Sequence, residues 1–448
     1  MKSNVLFLVI DGLRNDKFYG KNKTSLTPNL DLLISNGTYF SHAISSSDGT
    51  RTCLGSIFTA QYPFQSGLTT FHNHDKSTKF FDLLKKYNYS LAATVPDVDL
   101  WKTLTKNFDY IDLIPKPYEY LFGGTGNKIL NQLEKLKNHE PWIYYVHIMD
   151  LHRSVYFAFP EEFKNKKFGD NDYEKMVSGI DSWIKKILDK IDLSKTLVIV
   201  TSDHGEFIPT SSVNHEINYI PSLVKFGQII KKFTPKQFQA TGFSIFLKIR
   251  DFLVPIRKSF LKTKLSNEEM RTLNIRGTKL GWELFDEVVR TPLLFSGCNV
   301  KSNIIMNQQV RQIDIFPTIL SLINLNQPLQ EIEGDSLVPL INGEKVIEKP
   351  ALIENQLLDT DDDDIVIGIR TSNYKYFRHI NDKNTKVCLF DLKNDPQEQN
   401  NIASTSPDIV NQMENLLMKY RKNKSESFIT DDEQTAKIKE ELKKMGYI

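Results

Sequence analysis

The chain has few cysteines, and their spacing indicates neither a disulfide framework nor a cysteine metal site. Its 448 residues include three, Cys53, Cys298 and Cys388, an odd number that contains no C-x-x-C pair. Sparse, scattered cysteines are typical of proteins that keep their thiols reduced. A cytoplasmic location is therefore predicted.

Long apolar runs are also missing. Residues 5–10 form an apolar run that is too short to span a bilayer, which needs about 20 residues. The run leads directly into Asp11 and has no small-residue cleavage site, so no signal peptide is expected. No other stretch reaches about 18 apolar residues, and a transmembrane helix is not predicted.

Neither sign of charge is in large excess. The sequence has 57 Lys and Arg against 55 Asp and Glu, a net charge of +2. A dedicated nucleic-acid binder is usually more basic, so no nucleic-acid partner is expected. A hydrophobic content of 40% and a charged content of 25% are typical of globular proteins.

Three short apolar runs are typical of buried parallel strands: NVLFLVID, WIYYVHIMD and TLVIVTSD. Helix-like stretches, including 129–138 and 172–190, lie between them, and this alternation predicts a doubly wound α/β sheet. In such sheets, chemistry collects at the carboxyl ends of the strands. Because the runs end in Asp11, Asp150 and Asp203, a metal or phosphate site is expected there.

Three further patterns supply candidate side chains. In TSDHGE, Asp203 and His204 follow a strand and could reach one cation, with Zn and Mn favoured over Mg and Ca; a loop aspartate beside a surface histidine is the alternative. Residues 46–63 run from a polar turn into a helix, where a hydroxyl would meet the amide dipoles that favour anions, unless it is an ordinary cap. His147 and His152 are each either a general acid or a structural imidazole. The hydroxyl candidates are Ser46, Ser47, Thr50 and Thr52.

Taken together, the motifs resemble the sulfatase family of the alkaline-phosphatase-like superfamily. They occur in the order IDGLRND, TPNLDLLISNGTYFSHAIS, TRTCLGSIFTAQYP, MDLH, TSDHGE, ELFDEVVRTPLLFSG, VRQIDIFPTILSL and LFDLKNDPQEQNNIA. The resemblance covers roughly 1–215 and 276–402. It implies an alkaline-phosphatase-like doubly wound sheet with helices on both faces, followed by a small C-terminal antiparallel α+β subdomain.

The resemblance also implies roles for individual residues. Asp11, Thr50, Asp203 and His204 match the ligands of a divalent cation, which would be Zn, Mn, Ca or Mg. Thr50 matches the nucleophile and His152 the substrate-contacting histidine. Lys279 and His215 are weaker matches to substrate-binding residues.

The sequence departs from the sulfatase pattern at several positions. Sulfatases convert a cysteine within C-x-P-x-R to formylglycine, whereas Thr50 and Leu54 stand at the cysteine and arginine positions, so formylglycine chemistry is not expected. Gly12 replaces a second metal-binding aspartate, and Leu280 stands where two-metal relatives carry a histidine. One metal site is therefore expected, with Asp150 or His215 as the candidates to complete a second.

The predicted function is metal-dependent hydrolysis or transfer on phosphate or sulfate esters, with Thr50 as the nucleophile. Phosphodiester, phosphonate or head-group transfer chemistry is favoured. One alternative is sulfate-ester hydrolysis without formylglycine. Another is a degenerate sulfatase-like protein that binds anionic glycans without turnover.

The predicted organisation has three parts: a catalytic domain over 1–345, a C-terminal subdomain over 346–420 and a helical tail over 421–448. An insertion at 216–275 interrupts the family pattern. It is either a lid over the active site or, through its basic and apolar segment 225–264, a peripheral contact with the inner membrane surface. Either role suits an anionic ester substrate linked to a glycan or a lipid.

Overall fold

The structure, a computed structural model, describes residues 2–67, 79–115, 119–152, 160–208, 271, 284–325, 332–355, 365–381 and 387–421. The chain divides into two compact units, Met1–Glu206 with Gly281–Ile448, and Phe207–Leu280. The lid or membrane-contact role of 216–275 concerns a segment outside the described residues, except for Arg271.

A nine-stranded sheet forms the centre of the first unit, in the order β4-β3-β5-β1-β6-β7-β2-β8, with β9 also paired to β2. All pairs are parallel except β6–β7 and β7–β2. The predicted strands β1, β5 and β6 are confirmed, and they are adjacent and buried throughout. The strands are β1 Asn4–Ile10, β2 Gly37–Ile44, β3 Ser90–Pro96, β4 Tyr110–Ile114, β5 Trp142–Ile148, β6 Thr196–Thr201, β7 Arg290–Gly297, β8 Ile304–Met306 and β9 Val310–Arg311.

Helices cover both faces of this sheet. Val5, Phe7 and Val9 of β1 pack in one cluster with Leu54 and Phe316, while the alternate side chains of β1 are buried on the opposite face. The predicted helices near 129–138 and 172–190 are confirmed as α7 and α8. The α-helices are α1 Asn15–Phe18, α2 Pro28–Ser35, α3 Thr50–Thr59, α4 Pro63–Ser66, α5 Lys79–Lys86, α6 Asp99–Leu104, α7 Thr125–Leu136, α8 Asp172–Leu188, α9 Asp286–Val289, α10 Ile315–Leu322, α11 Val338–Ile341 and α12 Pro407–Arg421.

The C-terminal part forms a second, four-stranded antiparallel sheet, as expected from the resemblance. Its strands pair in chain order: β10 Ala351–Glu354, β11 Val366–Arg370, β12 Tyr374–His379 and β13 Cys388–Asp391. Helix α12 covers this sheet with Met413 and Leu417. The predicted tail over 421–448 lies outside the described residues except for Arg421, the last residue of α12, and the boundary at 345 stays a prediction.

Within the described ranges, no helix is both long enough and apolar enough to cross a bilayer.

Candidate metal centre and active site

Three buried side chains meet at the carboxyl edge of the central strands. Val9 of β1 lies opposite His147 of β5 and Thr201 of β6, and Asp11 and Asp203 each follow two residues later. Since alternate strand residues share a face, this register brings the three side chains to one side of the sheet. The ligand atoms of Asp11, His147 and Asp203 all lie within 4.8 Å of one another.

Helix α3 brings a hydroxyl to this cluster. Thr50 is the first residue of the helix, and its Oγ1 lies 3.4 Å from Asp11 Oδ2 and 3.2 Å from His204 Nε2. The rival hydroxyl of Thr52 donates to the Gly49 carbonyl at 2.9 Å. Ser47 Oγ lies 3.4 Å from Asp48 Oδ1. Thr50 is thus the hydroxyl that faces the carboxylates.

The ends of β1 and β6 are tied together by side-chain hydrogen bonds. Ser202 Oγ donates to the Ile10 carbonyl at 2.7 Å and accepts from the Leu13 amide at 2.9 Å. Asp203 Oδ1 accepts from the Gly12 amide at 3.3 Å. These bonds hold Asp203 beside Asp11 before any ligand binds.

The orientation of His204 depends on the glycine that follows it. His204 Nδ1 donates to the Gly205 carbonyl at 2.7 Å, which leaves Nε2 facing Thr50. A Cβ at Gly205 would lie 2.1 Å from the Glu287 carbonyl oxygen, so only glycine fits there. The Gly205 amide donates to the Val288 carbonyl at 2.6 Å, which fixes this turn against α9.

His147 belongs to this cluster. From the sequence alone, its role could be either that of a general acid or that of a structural histidine. Its Nδ1 lies 2.8 Å from the Tyr145 hydroxyl, and its Nε2 lies 3.6 Å from Asp11 Oδ2. The Trp101 ring packs edge-on against the imidazole, with the ring centroids 4.8 Å apart. Alternation along β5 was a partial signal, because it puts Tyr145 and His147 on one face. That this is the face of Asp11 follows only from the register of β5 against β1.

Asp150, a candidate for a second metal site, has a different role in the structure. Both of its carboxylate oxygens accept from the Leu121 amide, at 3.0 and 3.2 Å. Burial raises the pKa of Asp150 to about 7. Strand β5 ends at Ile148, and the turn that follows directs Asp150 toward Leu121, so the cluster takes its third side chain from His147 instead.

Gly12 adopts a backbone conformation that the missing second aspartate would strain. Its φ is +67°, in the left-handed region that disfavours side chains. A Cβ there would make an ordinary van der Waals contact, 3.5 Å from Glu206 Cβ, so the backbone conformation and not a lack of space disfavours a side chain. The replacement of aspartate by glycine therefore agrees with the local backbone.

The charges of the site stabilise one another. Burial raises the pKa of Asp11, but the nearby imidazole of His147 and the charges of His152 and His204 outweigh it and hold that pKa below its usual range. Burial lowers the pKa of His204, but the carboxylates of Asp203 and Asp11 outweigh it and raise that pKa to about 9. The carboxylates thus attract positive charge strongly.

The donor set fits a divalent cation. Asp203 Oδ2 and His147 Nε2 are buried, and neither has a hydrogen-bond partner among the described residues. Leaving such atoms buried without a hydrogen bond is costly, and a bound cation would satisfy both. Carboxylate and imidazole donors together suit Zn or Mn.

The structure also describes some of the remaining predicted residues. His152 is buried, and its charge acts on Asp11. Lys279 and His215 lie outside the described residues. Cys53 and Leu54 are buried, with Cys53 Sγ 3.1 Å from the Ser47 carbonyl and Leu54 in the apolar core, so neither offers the formylglycine pattern.

Sequence comparisons match the chain to known families and proteins. The family described as Sulfatase matches residues 3–325, and the one described as N-sulphoglucosamine sulphohydrolase, C-terminal, matches residues 282–423. Arylsulfatase K of Mus musculus is 20% identical over 342 residues, which cover 75% of this chain and 57% of the mouse protein. Arylsulfatase K of Danio rerio is 30% identical over 137 residues, 30% of this chain and 26% of the fish protein. The chain thus spans less than two thirds of these relatives.

Solved structures share the fold. The yidJ protein of Bacteroides fragilis aligns over 98% of both chains, with a TM-score of 0.65 and 17% identity. A protein solved with its substrate D-glucosamine-2-N,6-O-disulfate aligns over 94% of this chain and 98% of its own, with a TM-score of 0.66 and 16% identity.

Proposed function

This chain belongs to the sulfatase family, and on that premise we propose that it is a metal-dependent hydrolase of sulfate esters with Thr50 as its nucleophile. The observation that carries the proposal is the position of Thr50 Oγ1, 3.4 Å from Asp11 and 3.2 Å from His204 in a buried cluster of metal-binding residue types. The similarity to Arylsulfatase K, and to the fold of a protein that binds a sulfated glucosamine, supports a sulfated glycan as the substrate class.

Each side chain of the cluster has a task in this proposal. Asp11, Asp203, His204 and His147 would hold a divalent cation, which when bound would polarise the ester oxygens and lower the pKa of the Thr50 hydroxyl. The first amides of α3 direct partial positive charge toward the same oxygens. His152 protonates the leaving oxygen.

The proposed reaction has two steps. Thr50 Oγ releases its proton and attacks sulfur, so an Oγ–S bond forms and the ester S–O bond breaks. The leaving alcohol takes up one proton. Water then attacks the same sulfur, releases sulfate and a proton, and restores the Thr50 hydroxyl.

The threonine itself favours a second candidate, hydrolysis or transfer of phosphate esters. A formylglycine hydrate has a second hydroxyl with which to expel sulfate, whereas threonine has one, so a sulfate on Thr50 must wait for water. A phosphoryl group on Thr50 can be attacked by water or by an acceptor alcohol. Phosphodiester and phosphonate chemistry therefore remains the alternative for this site, as does head-group transfer.

A side-by-side assay separates the candidates. Metal-loaded protein would be offered matched aryl esters of sulfate, phosphodiester, phosphonate and phosphomonoester, with the Thr50→Ala variant as a blank. The proposal expects metal-dependent release from the sulfate ester at the highest rate. Faster release from the phosphodiester would replace it with the second candidate, and no release from any ester would favour a protein that only binds anionic glycans. A cytoplasmic location, with membrane contact through 225–264, stays a proposal from the sequence.

A further inference from the structure

A polar cavity lies between the main sheet and the C-terminal sheet. Its volume is about 210 Å³, and its lining includes His42, Arg290 and Arg370. Strand β7 begins at Arg290 and runs antiparallel to β6, so this cavity opens at the carboxyl edge of the parallel strands. That edge also carries Asp203.

The cation that distinguishes the cavity is Arg290. Its Nε donates to the Ser41 carbonyl at 2.8 Å, which anchors the guanidinium. Its two terminal nitrogens make no hydrogen bond or ion pair within the described part of the chain, although the side chain is half-buried. A planar pair of donors held in this way matches the oxygens of a sulfate, phosphate or carboxylate group.

The other charges in the lining are already paired. Arg370 donates to Asp286 at 3.0 and 2.8 Å and to Gln309 Oε1 at 2.5 Å. Lys375 also lies 2.6 Å from Asp286. Asp286 is the single carboxylate among the described residues of the lining, and its charge is shared by Arg370, Lys375 and Arg290. The lining therefore carries more positive than negative charge, with Arg290 and Arg370 against Asp286.

The neutral groups add donors. Asn307 Oδ1 accepts from Ser41 Oγ at 2.9 Å, so the amide nitrogen of Asn307 is left to donate. The Ser372 side chain also lines the cavity. Burial, followed by the charges of Arg290 and Arg370, lowers the pKa of His42 to about 4, which agrees with a cavity that is positive in character.

We propose that this cavity is an oxyanion-binding site, built on Arg290 and Asn307, that takes a sulfate or carboxylate group. Helix α9 connects this cavity to the candidate active site. Its Asp286 lines the cavity, and its Val288 carbonyl accepts a hydrogen bond from the Gly205 amide, next to His204. The oxyanion is either free in solution or, where the proposed function holds, a second anionic group of the substrate.

Calorimetric titration with inorganic sulfate, at constant ionic strength against chloride, tests the proposal on the full-length, metal-loaded protein. We expect two sulfate-binding events. One depends on the metal and is lost when a chelator is added, and the other persists in the presence of the chelator. Arg290→Gln should weaken the chelator-resistant event by at least about tenfold and leave the other in place. Asn307→Asp keeps the acceptor for Ser41 but adds a negative charge, so it should weaken the same event. Lys301→Gln removes an exposed cation that donates to the Asn342 carbonyl, and serves as the matched control.

Chelator-resistant sulfate binding that is absent from the wild type, or unchanged in both Arg290→Gln and Asn307→Asp, would overturn the proposal. To identify the source of the oxyanion, the Thr50→Ala protein would be titrated with glucosamine 2-N,6-O-disulfate and with glucosamine 6-O-sulfate. A loss of affinity on Arg290→Gln that is confined to the disulfate assigns the cavity to the substrate, whereas no loss for either sugar assigns it to a free oxyanion. None of these titrations requires turnover, so they stand apart from the proposed function.

Discussion

The Tyr145 hydroxyl lies 2.8 Å from His147 Nδ1, and this contact leaves His147 Nε2 directed at Asp11, 3.6 Å away. A buried imidazole with one nitrogen fixed and the other beside a carboxylate is the usual arrangement of a metal ligand and its supporting partner.

His147→Ala should therefore lower the affinity for Zn or Mn by at least about 10–100-fold, and Tyr145→Phe by less. Calorimetry and metal content after dialysis would measure both. His139→Ala, which removes an exposed imidazole, is the control. An unchanged affinity in His147→Ala would exclude His147 from the site.

Replacement of Asp150 should stabilise the fold and leave metal affinity unchanged, which is the opposite of what is expected for a metal ligand. Its folded pKa of about 7 lies above the unfolded value of about 3.9, so the folded state holds the extra proton between these values. Stability therefore falls as pH rises from about 4 to 7. Asp150→Asn keeps an acceptor for the Leu121 amide without the charge, so it should increase the free energy of unfolding at pH 8 and leave metal affinity intact. Urea denaturation at pH 5 and pH 8 checks this, and a loss of metal binding would show that Asp150 is a ligand after all.

The ion cluster between the two sheets makes a third prediction. Asp286 accepts a hydrogen bond from Arg370 and forms an ion pair with Lys375, and both cations are buried. Burial raises the pKa of Asp286, but the charges of Arg370 and Lys375 outweigh it and hold that pKa well below its usual range. Asp286→Asn removes the carboxylate that pairs with the buried Arg370, while Lys375 keeps its contact with Glu398 at 2.6 Å. The loss should cost about 3–5 kcal/mol of unfolding free energy at pH 7.

The pH dependence of this effect has a definite sign. A depressed folded pKa stabilises the protein above the unfolded pKa of about 3.9, and that contribution is lost as pH falls toward the folded value. The difference between wild type and Asp286→Asn should thus shrink in urea denaturation below pH 4. The exposed Asp82→Asn is the control, and an equal loss in both variants would argue against the cluster.

Much of the fold could be predicted from the sequence because its signals are local. The apolar runs that became β1, β5 and β6 have the length and composition of buried strands. The second sheet was expected from the resemblance to the sulfatase family. The antiparallel insertion of β7 beside β6 has no comparable local signal, because its run is as apolar as a parallel strand.

The site was predictable where a residue follows a strand and less so where tertiary contacts decide. Asp11 and Asp203 were identified because both follow a buried strand. Asp150 follows one as well, but the Leu121 amide, 29 residues away in the chain, takes up its carboxylate. His147 could be told apart from a core histidine only once the register against Val9 was known.

The most direct test of the account is turnover of a sulfate ester by metal-loaded Thr50→Ala, measured beside Thr50→Ser and Thr52→Ala. Thr50→Ala should lose more than about 10³-fold in kcat while it still binds metal, because the nucleophile is gone and the charged ligands remain. Thr50→Ser should keep part of the rate, and Thr52→Ala should keep most of it, since the Thr52 hydroxyl donates to the Gly49 carbonyl. Wild-type turnover by metal-loaded Thr50→Ala would contradict the claim that Thr50 is the nucleophile.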